Sequence, residues 1–262
     1  MAHVLSLSSA RHQDRVPHTN GPGLLQPAED LFVGRERELA RLQASLRDAC
    51  AGRGQLVLVA GEPGIGKTRL ATEFATYAQR YNARVLTGRC CEGEGTPPFW
   101  PWVQMLRGYI ADAAPDALGL QMGTGAADIA QVVPELREWL PDLPPPWVGE
   151  PAHARFRFFD SLTTFLKTAA LGQVLVLILD DLHWADTPSL LLLQFLARAL
   201  GDARLLIIGS YRDLEVTEAH PLAQTLGEIT REPHVQRLSL HGLTESDVAC
   251  WLAHTAGVTV TT

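Results

Sequence analysis

Residues 61–68 read Gly-Glu-Pro-Gly-Ile-Gly-Lys-Thr, and their flanks constrain the fold more than any other stretch of the chain. Before the octet, Gln55 to Ala60 is a short, β-rich apolar run, the pattern of a strand buried on both faces. After it, Lys67 to Arg80 carries Leu70, Ala71, Phe74, Ala75 and Ala78 along one helical face. Strand, glycine turn and helix in this order are the context of a G-x-x-x-x-G-K-[ST] loop. Gly64 and Gly66 allow several backbone N–H groups to converge on one point and leave room for an anion. The helix start adds unpaired N–H groups and the positive end of its dipole. The pattern therefore predicts a triphosphate held by Gly61, Glu62, Pro63, Gly64, Ile65, Gly66, Lys67, Thr68 and Arg69. Lys67 is expected to reach the β- and γ-phosphates, and the Thr68 hydroxyl to ligate Mg²⁺. Arginine replaces lysine almost everywhere else; Lys67 and Lys167 are the two lysines present.

A second run, Val174 to Leu179, is apolar at every position and ends in Asp180 and Asp181. Carboxylates at the C-terminal end of a parallel strand lie on the edge where open α/β sheets bind ligands. This is the Walker B pattern: Asp180 is expected to hold Mg²⁺, directly or through water, and Asp181 to orient or polarise an attacking water. His183 and Trp184 follow; a direct role for His183 competes with simple packing. A third strand pattern, Arg204 to Ile208, leads into Gly209, Ser210, Tyr211, Arg212 and Asp213. If that strand lies between the other two, Ser210 and Arg212 fall beside the γ-phosphate as sensors. The alternative for Arg212 is a surface ion pair with Asp213 or Glu215.

The chain has 262 residues, enough for one good core, and a formal net charge of −7. An acidic chain without a basic run is a poor candidate for direct nucleic-acid or anionic-lipid binding. No apolar run approaches the roughly 20 residues of a membrane helix, and no signal-peptide pattern opens the chain. Cys50, Cys90, Cys91 and Cys250 lack C-x-x-C spacing and are expected to be free thiols in a cytoplasmic protein.

Residues 1–29 lack periodicity and are expected to be a disordered leader, with order beginning near Leu31. Further helices are expected from Glu36, over 102–113, 126–139, 153–170 and 189–200, and from His220 to Thr230. Strands are expected at 84–89 and 235–240. A helix begins after Thr244, with Gly257 as its stop. Alternating strands and helices argue an α/β fold with a parallel sheet. The expected division is a core over 30–241 and a further helical segment over 242–262.

Phe32-Val-Gly-Arg-Glu-Arg-Glu38 resembles the hhGRExE signature of STAND-class P-loop ATPases. Pro98-Phe-Trp-Pro-Trp102, Leu179-Asp-Asp-Leu-His-Trp-Ala-Asp186, Gly209-Ser-Tyr-Arg-Asp213 and Leu238-Ser-Leu-His-Gly-Leu-Thr-Glu245 extend the likeness over about residues 31–257. The nearest resemblance is to the ATPase module of large LuxR-type bacterial regulators and to AAA-16, Orc1-like proteins. It implies a three-layer α/β/α P-loop NTPase fold with sheet order 5-1-4-3-2, followed by the start of a helical lid. It also implies that the loop of Val33, Gly34 and Arg35 contacts adenine and ribose, and that ATP, with Mg²⁺, sets a switch which slow hydrolysis to ADP resets. Longer relatives add the rest of the lid, helical repeats and a helix-turn-helix, for which these residues leave no room; protein partners or self-association are the expected contacts. Three outcomes stay open: a slow ATPase switch, a nucleotide-dependent binding module, or a fragment that folds poorly. No N-K-x-D string is present, which disfavours a GTPase.

Overall fold

The computed structural model describes residues 32–256 except 94 and 148. The expected leader, the start of order at Leu31 and the stop at Gly257 lie outside the described residues. Phe32–Thr244 form one compact unit. In chain order its elements are α1 (Glu36–Cys50), β1 (Gln55–Ala60), α2 (Lys67–Arg80), β2 (Arg84–Arg89), α3 (Trp100–Asp112), α4 (Pro115–Met122), α5 (Ala126–Ile129), α6 (Leu136–Trp139), α7 (Pro151–Gly172), β3 (Leu175–Asp180), α8 (Thr187–Ala199), β4 (Leu205–Tyr211), α9 (Pro221–Ile229) and β5 (Val235–Ser239). The helix α10 (Glu245–Ala256) belongs to a separate unit.

The five strands make one parallel sheet in the order β2-β3-β4-β1-β5, the order implied by the family likeness. Side chains alternate across it, so each strand feeds two cores. Val57, Val59, Val176, Ile178, Leu206 and Ile208 pack with Leu42 and Leu46 of α1 and Leu70 and Phe74 of α2. Leu56, Leu58, Leu177, Leu179, Leu205 and Ile207 face the other way, with Trp102, Phe165, Leu193 and Leu222 from α3, α7, α8 and α9. Burial on both faces explains why β1, β3 and β4 carry no polar alternation.

Most expected elements agree within a residue or two, and the differences have local causes. α4 was not expected, although Pro115 at its first position and Asp116 in its first turn are a legible start. The helix expected over 126–139 is two single turns, α5 and α6, because Pro134 cannot donate to a continuous ladder. α8 starts at Thr187 because Asp186 caps it, accepting from the Ser189 N–H at 2.9 Å and the Ser189 hydroxyl at 2.6 Å. β3 runs one residue further than its apolar stretch and takes Asp180 into the ladder, opposite Arg89.

Candidate functional site

Parallel strands bring all five C-terminal ends to one edge, and the candidate residues stand there. Gly61 follows β1 directly, and the octet turns into α2 at Gly66. Gly64 and Gly66 have φ of 74° and 105°, and a Cβ on either would meet nothing within 4 Å. Glycine is thus required here by backbone conformation, and the space above the turn is open. No side chain caps α2. The first N–H groups of a helix have no partner within it, which suits an anion at this end.

Lys67 is buried, and its ammonium donates to the Gly61 and Glu62 carbonyls at 2.9 Å each. Burial pushes its pKa below the usual lysine range and the nearby Arg212 charge adds to this; the Asp181 and Asp180 carboxylates oppose it. An anion in the loop would oppose both effects by favouring the charged ammonium. The Thr68 hydroxyl donates to Asp180 Oδ2 at 3.1 Å, so the two groups expected to hold Mg²⁺ meet across 112 residues of sequence. Oxygen ligands of this kind, one hydroxyl and one carboxylate beside a phosphate cradle, fit Mg²⁺.

Ser210, expected as a sensor, contacts both acids. Its hydroxyl donates a short bond to Asp180 Oδ1 and accepts the Asp181 N–H at 3.1 Å. Asp181 has φ of 60°, a left-handed conformation that aspartate tolerates better than most residues. Arg89, at the end of β2, donates from Nε and Nη2 to Asp181 Oδ2 at 3.3 and 3.2 Å. Its place at the same sheet edge was the available signal, but the sequence reading passed it over.

Arg212 lies close enough to Lys67 to affect its ionisation, yet Nη1 is engaged by Glu215 Oε1 at 2.6 Å. Its guanidinium carbon stands 4.9 Å from the Trp184 ring centroid. The ion pair considered as the alternative for Arg212 is therefore present, at the same edge as the loop. His183 lies behind these groups, with its ring tilted on Trp184 at 4.7 Å.

Arg35, expected with Val33 and Gly34 to contact adenine and ribose, has protein partners for its side chain. Its buried guanidinium donates to the Ile65 carbonyl at 3.0 Å and the His241 carbonyl at 2.6 Å, and pairs with Glu38 at 3.4 Å. The side chain is a strut between the phosphate loop and the segment after β5. Gly34 N–H donates to Glu36 Oε1 at 3.3 Å. A cleft of about 320 Å³ opens beside the loop, lined by Gly61, Ile65, Leu214, Leu240, His241 and Gly242 among others. Glu62 and Pro63 are exposed at its rim, and Arg69 pairs with Glu73 at 3.6 Å.

Residues 31–208 match the AAA ATPase domain family, AAA_16. "Uncharacterized protein R02095" of Rhizobium meliloti (strain 1021) is 24% identical over an alignment of 206 positions that covers 71% of this chain and 19% of the relative. Among solved structures, Cdc6p from Pyrobaculum aerophilum is 19% identical with a TM-score of 0.49, over 90% of this chain and 52% of that one. A STAND protein with a tetratricopeptide repeat sensor from Pyrococcus horikoshii is 20% identical with a TM-score of 0.43, over 90% of this chain and 27% of that one. The chain thus spans a fraction of the length of each of these proteins. With the loop, the paired acids and the sheet order in place, and with the family matched across most of the described core, the chain belongs to the AAA ATPase domain family.

Proposed function

We propose that this chain is a nucleotide-operated switch module that binds ATP with Mg²⁺ and hydrolyses it slowly, as part of a STAND-type, LuxR-like regulatory architecture. The observation that carries the proposal is the meeting of Thr68, Asp180 and Lys67 at the open mouth of the glycine turn. Backbone N–H groups from the loop and the start of α2 would hold the phosphates, and Lys67 would turn from its two carbonyls to the β- and γ-oxygens. Bound Mg²⁺ supplies charge compensation at those oxygens, and Thr68 and Asp180 are the groups fitted to hold it. Ser210 fixes the Asp180 carboxylate and the Asp181 backbone, so both acids keep their direction without solvent reorganisation. Asp181 would orient the attacking water through Oδ1, since Arg89 occupies Oδ2. Arg212 is the remaining cation fitted to a terminal phosphate. The cleft beside Ile65 and Leu240 is the place for the base, with Val33 and Gly34 at its side.

The free thiols Cys50, Cys90, Cys91 and Cys250 suit a cytoplasmic setting. Among the described residues no helix is long and apolar enough to cross a membrane. Protein partners or self-association complete the proposal, with α10 as the first helix of a lid; direct nucleic-acid contact is not part of it. Nucleotide binding without useful turnover is favoured by one observation, the hold of Arg89 on Asp181.

Isothermal titration of ATP–Mg²⁺ and release of labelled phosphate, on the wild type, Lys67→Ala and Asp181→Asn, test the proposal. Loss of the Lys67 ammonium should weaken ATP about 10- to 100-fold, the scale of charge-assisted bonds to phosphate. Asp181→Asn should bind ATP but lose phosphate release. Equal background release from all three proteins would remove the hydrolysis claim, and absence of ATP binding by the wild type would remove the whole proposal.

A further inference from the structure

Arg212, Glu215, His183 and Asp181 form a chain of contacts along the rim of the site. Glu215 uses both carboxylate oxygens: Oε1 accepts from Arg212 Nη1 at 2.6 Å, and Oε2 lies 3.4 Å from His183 Nε2. His183 Nε2 is also 4.0 Å from Asp181 Oδ1. The His183 side chain is 0% exposed, and neither ring nitrogen makes a full hydrogen bond. A buried imidazole without a partner is costly, so its presence needs a reason. Burial pushes its pKa down, against the pull of Glu215 and Asp181, which leaves a neutral ring able to donate one N–H.

Arg212 is parked on Glu215 at a point where its charge already reaches Lys67. A terminal phosphate seated at Lys67 competes with Glu215 for the same guanidinium. When Arg212 leaves, the Glu215 carboxylate loses its cation, and the donor next to it is His183 Nε2. We propose that Glu215 and His183 form a latch that sets how strongly the site distinguishes ATP from ADP: Glu215 holds Arg212 away from the nucleotide, and His183 takes over Glu215 once Arg212 has turned to the terminal phosphate. Trp184 supports the guanidinium from beneath during the exchange. The inference rests on the ATP-binding reading above and names two positioning residues for it. It requires no change of protonation, since a neutral imidazole donor and a carboxylate acceptor suffice.

The two partners act with opposite sign, and this makes the latch testable. Dissociation constants for ATP–Mg²⁺ and ADP–Mg²⁺ are measured by titration calorimetry on the wild type, Glu215→Gln, Arg212→Ala, the Glu215→Gln/Arg212→Ala pair, His183→Leu and His183→Gln. Glu215→Gln frees Arg212 and should raise the preference for ATP over ADP about tenfold, the scale of one charge-assisted hydrogen bond. Arg212→Ala should abolish the preference, and Glu215→Gln should then add nothing. His183→Leu removes the receiving donor and should lower the preference, while His183→Gln, which can place an amide N–H near Nε2, should restore part of it. Glu215 and Arg212 side chains are 39% and 26% exposed, so their cycle carries the test even if His183→Leu fails to fold. An unchanged preference in Glu215→Gln, or an effect that persists without Arg212, overturns the latch while leaving ATP binding intact. Absence of nucleotide binding by the wild type overturns the ATP reading itself, and the latch with it.

Discussion

Asp181 shares its left-handed backbone with Asn82 and Phe99 alone among the described non-glycine residues. Such a conformation costs roughly 1 kcal/mol or more for an L-residue and persists where neighbours fix it. Here the Ser210 hydroxyl fixes the Asp181 N–H and Arg89 fixes the carboxylate. At the same scale, the four thiols divide sharply. Cys50, Cys91 and Cys250 are exposed, whereas Cys90 is buried and its thiol is pushed far above the usual cysteine range by burial. Titration with a thiol-reactive disulfide reagent should therefore show three rapid equivalents and a fourth released by denaturant. Four rapid equivalents would mean that the β2–α3 junction is open in solution. The meeting of Lys67, Thr68, Asp180 and Asp181 at one sheet edge was legible because each lies in a short local pattern that follows a buried strand. The contacts of Arg89, Ser210 and Arg35 are not legible because their partners are remote: Asp181 lies 92 residues from Arg89, and the His241 carbonyl 206 residues from Arg35. No periodicity reports such pairs; only the strand order does.

At the level of elements, α3 lies close on β2. A Cβ on Gly88 would stand 2.1 Å from the Pro101 carbonyl oxygen, so the start of α3 rests on a strand that has no side chain there. Gly88→Ala should lower stability by about 1–3 kcal/mol, the range for overpacking a tight contact. A urea melt should show a lower midpoint with an unchanged slope. A neutral outcome would mean that α3 sits further from the sheet. Strands were the legible elements, since burial on both faces writes an unbroken apolar run in the sequence. The helices between β2 and β3 were less so. Their packing joins α4, α5 and α7 around Leu118, Ile129 and Phe165, contacts that no single helical period encodes. Asp128 is buried there and paired with Arg157 and the Ser161 hydroxyl, again at distances of about 30 residues in sequence.

Across the whole molecule, the site draws on every strand end: the glycine turn after β1, Arg89 from β2, Asp180 from β3, Ser210 from β4 and the His241 carbonyl beyond β5. ATP–Mg²⁺ at about 100 times its dissociation constant should add about 2.7 kcal/mol to stability. For a domain of this size that is a rise in Tm of several degrees, reversed by chelating the metal. The distribution of contributors has a kinetic corollary. A chain with some strands still unpaired presents no complete pocket, so nucleotide has nothing to grip until the last pairing closes. Stopped-flow refolding should run at the same speed with or without ATP–Mg²⁺, whereas escape from the native basin should slow by the full binding factor, about 100-fold at that concentration. Nucleotide would then prolong the lifetime of finished molecules without hastening their formation.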